Sequence, residues 1–257
     1  MLNYYIAKIR ANDCFIDIRI NDMPLFIQFV RANTSCSIPI NNLLSVDEIQ
    51  LLTVNMQPLP DTNQSDIVSS CEIAIWLYNG EQRTIEPVSE IATISMSKEN
   101  LLSSQPLTFC QKAFSAHTHN EVSRWFGCVD LTEIQGIKEI VTHFYQQIGQ
   151  LLQTRQYGKY AEMISRRENH LVKSQYLDEQ EIVLRRNMLI EHLDQGYTLV
   201  PFTGNETLHM YANGKAASLL LPDYKSALRF VKDGTTQVLA INLLIGMNDQ
   251  NYRLMVI

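Results

Sequence analysis

The segment from His117 to Glu121 reads His-Thr-His-Asn-Glu and contains residue types that bind transition metals. On a β-strand, two histidines separated by one residue point to the same face, and the carboxylate of Glu121 could add a further ligand. A stable site requires a third or fourth ligand, and no other residue stands at a diagnostic spacing. The sequence therefore favours a solvated loop, and we predict no metal site.

The other residues that could perform chemistry are scattered along the chain. His143, His170, His192 and His209 could each serve as a general base, but none stands beside an identifiable nucleophile or acidic partner in the sequence. Glycine-rich phosphate-binding and dinucleotide-binding patterns and the Gly-x-Ser-x-Gly motif are absent, and only 10 of the 257 residues are glycine. We therefore predict no catalytic residue, no cofactor and no enzymatic activity.

The first half of the chain, residues 1–128, alternates apolar and polar residues over short runs, as β-strands with one buried face do. Turn-forming pairs separate the runs, including Asn21-Asp22 and Asn79-Gly80. The clearest runs are Phe15–Ile20, Gln50–Val54, Glu72–Leu77 and Glu90–Ser95. We predict an antiparallel β-sandwich domain of roughly six to eight strands.

In the second half, residues 129–257, the apolar pattern first changes to a helical period. Helices are predicted at about 137–152, 157–172 and 178–195, because apolar residues recur there at intervals of three and four. In the third helix, the side chains predicted to face inward are Val183, Leu184, Met188, Leu189 and Leu193.

Strand-like runs return after residue 197, with Asn213-Gly214 and Asp233-Gly234 as hairpin turns. We therefore predict three helices packed on one face of an antiparallel sheet, which makes the whole chain α+β. This order of elements is also similar to cone-shaped folds that resemble nuclear transport factor 2, in which the candidate pocket residues would be Tyr157, Tyr160, His192 and Tyr197.

Charge and composition exclude several classes of partner. The chain has 27 acidic and 21 basic residues, and its net charge of −6 leaves no excess of cations to neutralise nucleic-acid phosphates. Residues 1–128 carry 13 acidic and 8 basic residues, whereas residues 129–257 carry 14 and 13, so the acidity belongs to the first half.

No apolar run approaches the roughly 18–20 residues that span a bilayer. The first ten residues lack the pattern of a signal peptide, and the five cysteines form no Cys-x-x-Cys pair, so we expect a cytoplasmic protein with no membrane partner.

Three segments of the first half form a pattern that resembles a known family. Cys14–Pro24 gives a strand, an Asn-Asp turn and a proline, Ile38–Leu44 contains Pro-Ile-Asn, and Glu48–Val54 gives a further strand. This layout is similar to the β-sandwich of small proteins encoded beside bacterial type VI secretion effectors, in which glycine usually stands where this chain has Asp22. Matching segments of the second half are Tyr157–Asn169, Leu199–Pro201, Gly214-Lys215, Ala227–Phe230 and the strand ending near Arg253.

The resemblance implies an immunity protein that binds a cognate secreted toxin and blocks it, with no catalytic residue to carry over. An acidic domain would steer the association with a basic toxin. The candidate partner-binding residues lie in acidic turns of the first half: Asp22, Asp47, Glu48 and Asp61. The sequence indicates no oligomeric state.

Two other functions stay open. The second half could bind a small molecule or act as an enzyme through a pocket of the nuclear transport factor 2 type, with the β-sandwich as an accessory domain. Alternatively, the first half could bind carbohydrate or act as an adaptor, with Trp76 or Trp125 as an aromatic platform.

Overall fold

The computed structural model of the protein describes residues 2–59, 68–81, 86–97, 108–117 and 123–257. The chain forms two compact units, Met1–Ser123 and Arg124–Ile257, whereas the sequence predicts a boundary after residue 128. Arg124 belongs to the second unit, so the first carries 13 acidic and 7 basic residues and the second carries 14 of each. The whole net charge of −6 therefore lies in the first unit.

In its described part, the first unit consists of two four-stranded antiparallel sheets with the strand orders β4-β1-β6-β7 and β3-β2-β5-β8. The strands are β1 (Asn3–Asn12), β2 (Cys14–Ile20), β3 (Met23–Val30), β4 (Thr34–Pro39), β5 (Ile49–Pro58), β6 (Ser70–Asn79), β7 (Ser89–Ser97) and β8 (Thr108–Ser115).

The alternating pattern places one side of these strands in the core. In β2, Ile16, Ile18 and Ile20 are fully buried, and the residues between them are only half-buried. The predicted Asn21-Asp22 turn joins β2 to β3, with φ values of 53° and 60° that asparagine and aspartate tolerate better than most residues. The four runs predicted as strands lie within β2, β5, β6 and β7.

The second unit contains four helices and seven short strands. The helices are α1 (Ile137–Gln153), α2 (Tyr157–Met163), α3 (Ser165–Gln175) and α4 (Glu179–Asp194). The strands are β9 (Tyr197–Leu199), β10 (Thr207–Tyr211), β11 (Ala216–Leu220), β12 (Arg229–Lys232), β13 (Val238–Ala240), β14 (Ile245–Met247) and β15 (Leu254–Val256). The mixed α+β class predicted from the sequence is thus confirmed.

Two details of the second unit differ from the prediction. The predicted middle helix is two helices, because the backbone of Ile164 turns to ψ 2° between α2 and α3. The single predicted sheet is two sheets, β10-β11-β14-β15 and β13-β12-β9. The strand-like run from Gln237 to Ile245 belongs to both sheets, because β13 ends at Ala240 in one sheet and β14 begins at Ile245 in the other. The apolar content of the run does not reveal this change.

The core of the second unit forms where α1 packs on the strands. Val141, Tyr145, Ile148 and Leu152 of α1 belong to one buried cluster with residues of the sheets, among them Phe230. Helix α1 approaches β9 closely, because a Cβ atom added at Gly149 would lie 3.0 Å from the side chain of Leu199. Among the helices that the structure describes, none combines the length and apolar character needed to cross a membrane.

Helix α4 corrects the prediction about its inward face. Of the five side chains predicted to face the core, only Leu193 is buried, and Leu189 is half-buried. The other three are exposed, Val183 by 45%, Leu184 by 60% and Met188 by 50%. The apolar residues of α4 recur at helical intervals but are spread around the helix, so they do not form one continuous apolar face.

All five cysteines are free thiols. Cys14, Cys71 and Cys128 are buried, as expected of small apolar residues, and Cys36 and Cys110 are half-buried. Burial raises the pKa of Cys14 to about 11 and that of Cys71 to about 12, so both thiols stay protonated and unreactive near neutral pH.

Candidate protein-binding face

Strand register determines which side chains lie on the outer side of the sheet β3-β2-β5-β8. Because Ile16 and Ile18 are buried, Phe15 and Asp17 point to the opposite side. Directly paired residues share a side, so Phe29 and Ile27 of β3 lie on that side as well. The pairing continues through β5 and β8. We call the apolar residues of this side the candidate face: Phe15, Ile27, Phe29, Ile49, Leu51, Phe109 and Ala113.

The candidate face is well exposed. The exposed fraction is 62% for Ile49, 58% for Phe109, 46% for Phe29 and 38% for Leu51. The rings of Phe15 and Phe29 lie with their centroids 5.0 Å apart. Single exposed apolar residues are ordinary, but several on one sheet face are typical of a surface that binds another molecule.

Arg19 lies on the same side of the sheet, paired with Pro24 of β3 and Thr53 of β5, and is held by two carboxylates. Its guanidinium donates to both oxygens of Asp17, at 2.8–3.1 Å, and to Asp22 at 2.7 Å. Burial alone would lower the pKa of Arg19, but the hydrogen bonds and charges of Asp17 and Asp22 outweigh it and raise that pKa. The guanidinium is therefore permanently charged and fixed in orientation.

An acidic rim borders one end of the candidate face. It consists of Asp22 in the β2–β3 turn and Asp47 and Glu48 just before β5. These three predicted partner-binding residues converge there, because Gln50 contacts both the turn and the segment before β5. The fourth, Asp61, lies outside the described residues.

Buried Gln50 positions this rim. Its Oε1 atom accepts from the Asn21 side-chain amide at 2.6 Å and from the Ser45 backbone N–H at 2.9 Å. Its Nε2 atom donates to the backbone carbonyl of Asp47. Asn21 in turn accepts from the Leu51 N–H through its Oδ1 atom at 3.0 Å. One buried amide thus ties the Asp22 turn to the segment carrying Asp47 and Glu48.

We expect Gln50→Leu to lower the free energy of unfolding by about 1–3 kcal/mol, because it leaves the buried Ser45 N–H without its acceptor and removes one of the two acceptors of the Asn21 amide. Urea denaturation of the purified chain measures this loss. The matched control is Gln57→Leu, at an exposed position of the same strand, where we expect a change within about 0.5 kcal/mol. Equal effects of the two substitutions would show that Gln50 has no special role.

Glu48 extends the rim towards β8. Its Oε1 atom accepts from the Ser115 hydroxyl at 3.2 Å and lies 3.7 Å from Nε2 of His117. The His117 N–H donates to the Tyr5 hydroxyl at 3.1 Å. The other members of the predicted histidine cluster, residues 118–121, lie outside the described residues. Within the described ranges, no three His, Cys, Asp or Glu residues form a group that could hold a metal ion.

The four pocket residues suggested by the second half do not come together. Tyr157 and Tyr197 line a cavity of about 210 Å³ near the C-terminal ends of α1 and α4, where the Tyr157 hydroxyl donates to Asp194 at 3.0 Å. Tyr160 is buried in the core and does not line this cavity. His192 is exposed, and its Nδ1 atom lies 2.6 Å from the carbonyl oxygen of Met188.

The acidic run at the start of α4 caps this helix. Asp178 and Glu181 form a capping box, in which each side chain accepts from the backbone N–H of the other residue at 2.9 Å. Arg167 of α3 forms an ion pair with its neighbour Glu168, at 2.7 Å. Arg185 and Arg186 are exposed on α4.

The apolar part of the candidate face was not identified from the sequence. A signal was present in β3 and at the start of β5, where apolar residues occupy both the inward and the outward positions. In a strand whose outer side faces only solvent, apolar and polar residues would alternate along the chain instead.

Comparison with models of protein families, with curated proteins and with solved structures finds no match to this chain. The family resemblance therefore stays a prediction.

Proposed function

We propose that the chain is a non-enzymatic immunity protein that binds and neutralises a cognate bacterial toxin delivered by type VI secretion. The observation that carries this proposal is the candidate face itself, an exposed apolar surface with a fixed Arg19 and an acidic rim held by buried hydrogen bonds. Rigid anchors with a polar border are the usual anatomy of a protein-binding surface.

We infer that the first unit is a β-sandwich. Its two sheets each bury one side, and β2 and β5 of one sheet contact β6 of the other. In such an arrangement the outer side of each sheet faces the surroundings, which leaves the candidate face available to a partner. The proposed place of action is the cytoplasm, and the five free cysteines are in keeping with a reducing compartment.

The charge of the first unit supports a basic toxin. This unit carries the entire net charge of −6, and Asp47 and Glu48 lie beside the exposed Ile49. Complementary charge chiefly accelerates encounter, whereas the buried apolar contacts chiefly slow dissociation.

We expect the double substitution Asp47→Lys/Glu48→Lys to slow association with the toxin about tenfold at low salt, with a smaller effect at high salt because the charges are screened. Stopped-flow or surface-based kinetics at several salt concentrations measures this effect. Glu162→Lys/Glu191→Lys changes the net charge equally at exposed positions of the second unit. If this control slows association equally, total charge rather than the rim steers the toxin.

The alternative function, a small-molecule site in a second unit of the nuclear transport factor 2 type, has one observation in its favour. Tyr157 and Tyr197 do line a common cavity. Its volume of about 210 Å³ is below the roughly 300–1,000 Å³ of ordinary ligand pockets, and no histidine lines it. A thermal-shift screen of metabolites tests this alternative directly, since a ligand that stabilises the protein and loses its effect in Tyr157→Phe would favour it.

A further inference from the structure

The first unit has four edge strands in its described part: β4, β7, β3 and β8. An edge strand presents backbone N–H and C=O groups to any chain that can pair with it, and proteins usually protect such edges. The protection of these four edges is unequal.

Three edges carry recognisable protection. Strands β7 and β8 contact each other, and the Lys112 ammonium of β8 donates to the Thr93 carbonyl of β7 at 3.2 Å. Strand β4 is short, rich in serine and threonine, and ends at Pro39. Lysine, proline and a covering neighbour are the usual devices against edge pairing.

Strand β3 is different. Its eight residues, Met23–Val30, include no charged side chain. Pro24 and a bulge at Leu25, which the pairing with β2 skips, protect only its beginning. From Pro24 to Gln28 every residue is half-exposed, including the inward-pointing Phe26 and Gln28, and Phe29 is exposed. The open length of β3 is therefore uncharged, mostly apolar and accessible from both sides.

We propose that β3 pairs antiparallel with β3 of a second copy of this chain and makes a symmetric dimer. The choice of a second copy rests on the charges at the two ends of the strand. Asp22 before it shares the Arg19 guanidinium with Asp17, so this group of two carboxylates and one cation keeps one net negative charge, and the exposed Arg31 follows the strand. Antiparallel self-pairing brings the acidic end of each strand to the basic end of the other, twice per dimer. A two-fold axis makes this contact self-complementary and closed, so it does not propagate into a fibre. This inference is independent of the toxin.

Sedimentation velocity over a wide concentration range tests the dimer. We expect a reversible monomer–dimer equilibrium, and Gln28→Lys should raise its dissociation constant about tenfold or more, because an inward-pointing charge on an edge strand opposes pairing. The matched control, Gln57→Lys, places the same charge on the interior strand β5 and should leave the equilibrium unchanged. A wild-type chain that stays monomeric at every concentration would overturn the proposal.

A second pair of variants tests the location of the interface without altering the strand. Arg31→Glu should weaken the dimer, because each strand would then have acidic residues at both ends. Arg10→Glu makes the same charge change at an exposed position of the other sheet and should have no effect. If both variants weaken the dimer equally, or neither does, the interface is not at β3.

Discussion

Replacement of Ile49 and Leu51 by alanine is expected to weaken toxin binding by about 2 kcal/mol or more, which is about thirtyfold in the dissociation constant. Both side chains belong to the candidate face and stand beside the acidic rim, and their exposed fractions are 62% and 38%. Burying them against a partner removes apolar surface from water, and truncation to alanine forfeits that gain. Calorimetric titration of the purified toxin with the double variant measures the loss.

The control for this prediction is Val238→Ala, which truncates a comparably exposed apolar side chain, 53% accessible, in the second unit. We expect its affinity for the toxin to match that of the wild type. A double variant with unchanged affinity would remove the candidate face from the interface, whatever the control shows.

Tyr145→Phe is expected to lower the free energy of unfolding by about 1–3 kcal/mol. The Tyr145 hydroxyl is fully buried, donates to the Leu243 carbonyl at 2.8 Å and accepts from the Leu219 N–H at 3.1 Å. Burial raises the pKa of Tyr145 above its ordinary value, so the hydroxyl stays a neutral donor. Its removal leaves two buried backbone groups without a partner. Thermal and urea unfolding monitored by circular dichroism measure the effect.

The matched control is Tyr252→Phe, since the side chain of Tyr252 is 65% exposed and water can replace its hydrogen bonds. We expect a change within about 0.5 kcal/mol. If the two variants lose equal stability, the bridge that Tyr145 forms between α1 and the strands contributes nothing specific.

Periodicity predicted the α+β class because most elements of the chain have one buried side. The structure buries the alternating residues Ile16, Ile18 and Ile20. It also buries Val141 and Leu152 at the two ends of the helical stripe in α1. The same reasoning failed for Leu184 and Met188, since a helical spacing of apolar residues does not say whether a partner covers them. The bend at Ile164 was also missed, because it changes one backbone angle and not the apolar pattern.

The candidate site was predicted in part. Turns that carry acidic residues can be recognised in the sequence, and Asp22, Asp47 and Glu48 were predicted as partner-binding residues for that reason. Their convergence depends on buried Gln50, a side chain 28 positions from Asp22 in sequence that accepts a hydrogen bond from the neighbouring Asn21. Asn41 of the Pro-Ile-Asn motif likewise has a structural role, because its buried amide accepts from the Tyr5 N–H at 2.7 Å and donates to the Asn3 carbonyl at 2.9 Å.

The most direct test of the proposed function is co-expression with the toxin that the proposal expects a neighbouring gene to encode, combined with light scattering of the purified mixture. Neutralisation by contact predicts that the wild-type chain relieves toxicity and co-elutes with the toxin at equal stoichiometry. It also predicts that Ile49→Ala/Leu51→Ala fails in both respects while Val238→Ala succeeds. Persistent toxicity with no complex would contradict the immunity function, and relief of toxicity that the double variant preserves would contradict the assignment of the candidate face.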